Sequence, residues 1–444
     1  MKKLASAIDA TLEDKIFSHT AAAVEVTDLA SGTVVYTRNA QLLLRPASNA
    51  KLVTSAAAVL GIDSSYRFRT RLAAADSSLQ NIICIGSADP LLTSKDIQKL
   101  AESAYANGVR RVDTLFLEES MLDGSFYGAG WMWDDESDPF MPYLSAFPVD
   151  GNTITLRLKA PAQRGKPVAF TVLPSSSLIH VDNQLRSGKR TDVRIEKLPR
   201  SNTIHLRGTL AAGRRATRRV SMWRPQDIFA DLLLDALRAL DVQVDSVVLA
   251  SPRTSPPLLP LGEVSHALDA VLAGMNKDSD NLSAESVLRV LGGREKSAGI
   301  SAKDGLRALD KILARAGVKT DEIHLRDGSG ISFYNLLTAR ALSSLLAVMA
   351  RNPRFARFSS SLSIAGKDGT LARRMTDMEK GAFFRGKTGT VSGVSALSGY
   401  AQAPGGRLLS VVILMQNFQG RHRPYRDAQD DIVRHCIVYS GAAD

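Results

Sequence analysis

The chain has 444 residues, a hydrophobic share of 44% and a charged share of 23%, which fits a globular protein of about two to four domains. No uninterrupted apolar run approaches the ~20 residues of a membrane-spanning helix, and two cysteines, Cys84 and Cys436, exclude a disulfide scaffold or a Cys-rich zinc module. With 56 Lys and Arg against 45 Asp and Glu the net charge is +11; this favours anionic partners such as cell wall or lipid headgroups, while aromatics at 6% leave no stacking platform for nucleic acid.

Met1-Lys2-Lys3-Leu4-Ala5 opens like an export signal, but Asp9, Glu13 and Asp14 interrupt any apolar core. Leu4, Ile8, Leu12, Ile16 and Phe17 instead predict an amphipathic helix, and Ala22–Thr37 a hairpin turning near Ser31-Gly32. Arg45-Pro46 introduces a helix of about four turns ending at Gly61. Strands are expected over 66–72, 81–86 (with Cys84 as a buried thiol) and 112–117, and a helix from Thr93 or Ser94 to Gly108. Residues 152–210 read as short strands with basic loops, 225–240 as a helix, and Ser251-Pro252-Arg253-Thr254-Ser255-Pro256-Pro257 as a linker. After 260 the pattern is helical until Gly386, then β over Gly389–Gln402 and Leu408–Gln416, with a last helix over 424–439. Strands and a helix at each end point to one sheet built from both termini, with the middle of the chain inserted.

Three short motifs carry chemistry. Ser48-Asn49-Ala50-Lys51 is the one S-x-x-K, and its i,i+3 spacing puts hydroxyl and amine on one helical face. A serine needs a base, and a lysine serves only if burial or nearby cations lower its pKa. Taken alone the motif is weak, since about one or two occur by chance in such a chain. Ser279-Asp280-Asn281 precedes an apolar helix, where all three residue types are also ordinary caps. Lys387-Thr388-Gly389 leads a strand and offers a carboxylate-binding edge.

The stretch Gly381-Ala382-Phe383-Phe384-Arg385-Gly386-Lys387-Thr388 also matches the phosphate-binding pattern of a P-loop. That pattern requires a helix after the lysine, and Thr388–Ser395 is strand-like, so a nucleotide site is not expected. The seven histidines lack metal-ligand spacing, so no metal or other cofactor is expected.

S-x-x-K, S-D-N and K-T-G in this order are the signature of penicillin-binding proteins and serine β-lactamases. The chain resembles in particular the D-alanyl-D-alanine carboxypeptidases/endopeptidases of the penicillin-binding protein 4 (DacB) type, the class C, peptidase S13 branch. The likeness extends over nearly the whole chain, through Gly86-Ser87-Ala88-Asp89-Pro90, Val149-Asp150-Gly151-Asn152, Arg326-Asp327-Gly328-Ser329-Gly330, Ile364–Leu371 and Leu397-Ser398-Gly399-Tyr400.

The resemblance implies an α/β (α+β) fold: a β-lactamase-like transpeptidase domain with an antiparallel sheet flanked by helices, interrupted by a nested two-domain insertion. The expected division is a catalytic domain of 1–61 and 252–444, an inserted α/β domain of 62–150 and 213–251, and a small β-rich domain of 151–212. It further implies that Ser48 is acylated by the penultimate D-Ala of a peptidoglycan stem peptide, with Lys51 as base, Ser279 relaying the proton and Asn281 holding Lys51. Lys387, Thr388, Gly389 and Thr390 would receive the terminal carboxylate, the Ser48 and Thr390 amides would form the oxyanion hole, and Asp150 would meet the side-chain ammonium of the stem peptide. β-Lactams would stall the enzyme at the acyl stage, and the location would be periplasmic or otherwise extracytoplasmic, the export signal having been removed. One departure stands out: Gly328-Ser329-Gly330-Ile331-Ser332 is followed by Phe333, where the family usually has an arginine. The competing readings are a serine β-lactamase, a non-catalytic wall-binding protein and, least favoured, a P-loop NTPase.

Overall fold

The computed structural model describes residues 1–249 and 257–439. Helix α1 (Lys2–Leu12) turns Leu4, Ile8 and Leu12 inward, and strands β1 (Ala21–Asp28) and β2 (Val34–Arg38) form the expected hairpin. A single tight turn over Ala47–Asn49 leads into α2 (Ala50–Gly61), whose residues Ala50–Val59 are all buried. That burial all round explains the small and branched apolar composition of this helix.

Next come β3 (Arg67–Ala74), β4 (Asn81–Ile85), α3 (Ser94–Ala106) and β5 (Arg111–Glu118), with a Thr93/Asp96 capping box fixing where α3 starts. A run of short strands follows: β6 (Thr153–Lys159), β7 (Ala169–Leu173), β8 (His180–Asn183), β9 (Arg186–Gly188), β10 (Asp192–Lys197), β11 (Thr203–Ala211) and β12 (Arg215–Ser221). Then come α4 (Pro225–Arg238), β13 (Gln243–Val248), β14 (Leu259–Ala267), α5 (Leu268–Ala273), α6 (Asn281–Gly292) and α7 (Ala302–Arg315). The two-residue strands β15 (Ile323–His324) and β16 (Leu336–Leu337), helices α8 (Ala339–Arg351) and α9 (Phe355–Ser360), and β17 (Ser363–Ile364) precede the last hairpins. These are β18 (Phe383–Val391), β19 (Val394–Gln402) and β20 (Leu408–Gln416), closed by α10 (Arg423–Ile437).

The principal sheet runs β17-β18-β19-β20-β1-β2 and joins the two ends of the chain, with β1 antiparallel to β20. Strand alternation splits its two faces. Ala23, Val412 and Leu414 face a core shared with α2, α6, α7 and α8, while Val24, Val411 and Ile413 face one shared with α1 and α10. A third core lies between the sheet β13-β5-β4-β3-β14, helices α3 and α4, and the small sheets of the β6–β12 region. Cys84 and Cys436 are free and buried in different cores, and burial raises the Cys436 thiol to about 12.

The structure departs from the sequence reading in three places. β14 is a strand of the inserted sheet, antiparallel to β3, although residues from 252 on were expected to be catalytic and those after 260 helix-rich; a proline, a glycine and a register shift between Pro260 and Gly262 obscure its alternation. β12 pairs with β6, so the small β region continues to Ser221 rather than ending at 212. Finally, Lys387 lies well inside β18, which begins at Phe383 and turns at Ser392-Gly393, where Gly393 has φ +68. Residues 251–256 of the expected linker lie outside the described residues.

Candidate active site

Ser48 occupies the tight turn ahead of α2, and Lys51 sits in the first turn of that helix. The preceding Ala47 has φ 46, a left-handed conformation disfavoured for alanine. Lys51 is fully buried; its Nζ donates to Ser48 Oγ at 3.1 Å, Asn281 Oδ1 at 2.5 Å and the Ser329 carbonyl at 2.6 Å. Burial lowers its pKa from 10.5 to about 8, against the opposing pull of Asp327, Asp280 and Glu285.

Ser279-Asp280-Asn281 serves two purposes at once. Asp280 caps α6, its side chain accepting from the Ser283 amide, while Ser279, at φ 61, and Asn281 turn to the cluster. Ser279 Oγ accepts from Lys387 Nζ at 2.8 Å, and Asn281 Nδ2 donates to the Phe140 carbonyl at 2.5 Å. Lys387 also donates to the Thr388 carbonyl at 2.9 Å; burial first, and then the neighbouring Lys51, depress its pKa.

Two close approaches lock these elements together. Asn49 Nδ2 donates to the Lys387 carbonyl at 3.1 Å, and a Cβ at position 389 would come 2.7 Å from the Pro46 carbonyl, so only glycine lets β18 lie against the turn carrying Ser48. Gly330, at φ +87, is tighter still: a Cβ there would fall 1.9 Å from the Ala47 carbonyl.

The cleft above Ser48 has a volume of about 320 Å³ and is lined by Ser48, Ser279, Thr370, Arg374, Thr388, Thr390 and Arg426. Thr388 Oγ1 donates to Thr370 Oγ1 at 2.9 Å. Arg374 is tied to Asp430 at 2.7 Å, whereas the exposed Arg426 has no ion-pair partner among the described residues. Among the described residues no carboxylate lines this cleft, whose charge suits an anionic group.

Asp150 is the predicted residue that the structure does not bring here. Its carboxylate accepts from the Ser94 amide at the start of α3, which accounts for an acidic residue at that position. Phe333 lies under the Arg45 guanidinium, 5.0 Å from the ring centre. The P-loop reading fails because Lys387 and the residues after it are strand, hydrogen-bonded to β19, with no helix end to cradle a phosphate.

Several contributors were not singled out from sequence. Glu285 Oε1 accepts from the Gly328 and Ser329 amides, both at 2.9 Å, and Oε2 meets Arg289 at 2.5 Å. Asp327 Oδ2 accepts from the Ser332 amide at 2.7 Å and from Trp131 Nε1 at 2.9 Å. Thr370, Arg374 and Arg426 carry no motif beyond the Gly369-Thr370-Leu371 stretch within the family-like Ile364–Leu371 run.

Residues 4–436 match the family described as D-Ala-D-Ala carboxypeptidase 3 (S13). The chain belongs to this family. The D-alanyl-D-alanine carboxypeptidase of an Actinomadura species is 31% identical over 99% of this chain and 86% of its own length, and D-alanyl-D-alanine carboxypeptidase DacB of Haemophilus influenzae is 25% identical over 86% and 82%. The solved structure of penicillin binding protein 4 (dacB) from H. influenzae superposes on this S13 member with a TM-score of 0.85, at 22% identity, covering 97% of this chain and 99% of that one. The same protein has also been solved in complex with a β-lactam, with a TM-score of 0.78 at 21% identity over 98% of this chain and 99% of that one.

Proposed function

We propose that this S13 serine carboxypeptidase removes the terminal D-Ala of peptidoglycan stem peptides through a Ser48 acyl-enzyme, and opens D-Ala cross-links by the same chemistry. The observation that carries this reading is the buried Lys51 amine, 3.1 Å from Ser48 Oγ with its pKa lowered to about 8. A neutral Lys51 donates its two N–H groups to Asn281 Oδ1 and the Ser329 carbonyl, which leaves its lone pair for the Ser48 proton.

Ser48 Oγ then attacks the penultimate D-Ala carbonyl, and the Ser48 and Thr390 amides stabilise the oxyanion, a donor type worth about 3 kcal/mol elsewhere. The proton reaches the leaving amine through Ser279, which Lys387 holds. The terminal carboxylate binds Lys387, Thr388 and Thr390 beside Gly389, and its charge favours the protonated form of Lys387 that burial disfavours. Water attacks the acyl carbonyl, releasing Ser48 and the shortened peptide. A β-lactam follows the same first step, but its amine stays tethered and the acyl-enzyme persists.

The catalytic unit in this reading is assembled from both ends of the chain around the inserted region, and it works outside the cytoplasmic membrane, where its polymer lies. Among the described residues no helix is long and apolar enough to cross a membrane. Fluorescent penicillin should label the protein covalently, and Ser48→Ala should abolish both labelling and D-Ala release from a pentapeptide. Labelling that survives Ser48→Ala would overturn the assignment. Turnover of penicillin at rates rivalling peptide hydrolysis would favour the β-lactamase reading instead.

A further inference from the structure

The net charge is not spread over the molecule. Residues 151–221 contain 15 Lys and Arg against three Asp and Glu, a net of +12, whereas the whole chain carries +11. The rest of the protein is therefore close to neutral, and the basic character belongs to the β6–β12 region.

Within that region the cations are organised by strand register. In the sheet β12-β6-β7, Arg215 lies directly opposite Lys159, Thr217 opposite Arg157 and Arg219 opposite Thr155. Directly paired residues share a face, so Arg157, Lys159, Arg215 and Arg219 all point the same way. All four are exposed, and none has an ion-pair partner among the described residues. The opposite face carries Ile154, Leu156, Leu158 and Val220, which are buried.

Backbone hydrogen bonds from the Ala160 amide to the Arg214 carbonyl, and from the Ser187 amide to the Lys166 carbonyl, gather further basic loops at one end of the sheet. Like charges placed directly across a sheet are destabilising. In this arrangement the cost goes unrelieved within the protein, and an external array of anions would relieve it.

We infer that this open basic sheet face docks on the anionic phospholipid surface of a membrane. An exposed apolar side chain, Leu173 on β7, shares this face with the cations through its pairing with Thr155. Cations beside an exposed apolar side chain suit a headgroup layer. The surface belongs to the inserted region and uses none of the residues of the catalytic cluster, so the proposal stands or falls independently of the peptidase reading.

The test is cosedimentation of the full chain with phosphatidylcholine vesicles, with and without about 30 mol% phosphatidylglycerol, at low salt and at about 0.5 M salt. Binding is expected only to the anionic vesicles and only at low salt. Reversing two cations in Arg157→Glu/Lys159→Glu should weaken it at least about 25-fold. The unfolding midpoint and penicillin labelling should stay at their unsubstituted values, and the milder Arg215→Gln/Arg219→Gln pair carries the test if the reversal fails to fold. Equal binding to neutral vesicles, indifference to both double substitutions, or binding to soluble polyphosphate or isolated wall without any to vesicles would each overturn the proposal.

Discussion

Lys51 is surrounded by acceptors that suit an ammonium ion, yet burial outweighs them and brings its pKa to about 8. A base must be neutral to take the Ser48 proton, so acylation should rise roughly tenfold per pH unit below about 8 and level off above it. Stopped-flow acylation by fluorescent penicillin would show this limb, and a flat profile from acid to alkaline pH would contradict it. Glu285 works one step back from the chemistry, holding the amides of the loop whose Ser329 carbonyl receives Lys51. Its pKa is raised by burial, with Arg289 opposing. Glu285→Ala leaves a buried guanidinium without its partner and two amides without an acceptor, and should cost about 3–5 kcal/mol in urea unfolding.

At the scale of elements, the site depends on how closely the start of α2 meets its neighbours. Gly330→Ala would put a methyl carbon into the Ala47 carbonyl at a backbone angle that alanine disfavours. It should lower stability by more than about 1 kcal/mol and slow penicillin acylation at least about tenfold, because the Ser329 carbonyl moves with it. Labelling at the unsubstituted rate would show that the loop tolerates the shift. Ser48, Lys51, Ser279, Asn281 and Lys387 were legible in the sequence because their spacing is short and their order is fixed. Glu285 and Arg426 were not, since a carboxylate on a buried helix and an arginine among other surface cations look ordinary until the fold brings them together, and Asp327 lay in a family-like run with no role attached to it. Helices α1 to α4, α6 and α10 followed from periodicity and caps, and α5 and α7 to α9 only as a helix-rich stretch, but β14 did not, because its alternation is interrupted at Pro260 and Gly262. Asp150 enters through resemblance alone, while its place in the structure is explained by the amide of Ser94.

Across the whole molecule, the region between β3 and β14 is hydrogen-bonded to the residues around Lys51. The segment between β5 and β6 reaches back to the catalytic cluster: Trp131 Nε1 donates to Asp327, the Phe140 carbonyl receives Asn281, and the Gly130 carbonyl receives the Phe333 amide at 3.4 Å. Trp131→Phe keeps an aromatic side chain but removes the Nε1 donor, and should slow acylation about three- to tenfold with little change in penicillin specificity. An unchanged rate would mean that Asp327 is held adequately by its backbone donors alone.

The pairing of β1 with β20 has a consequence in time. Residues 21–28 leave the ribosome well before their partners, residues 409–416. At about 5–20 residues per second the first strand waits roughly 20–80 s for the edge it must join. The sheet therefore stays open until β20 has emerged, and a chain cut short before β20 lacks the strand that joins β1 to β19.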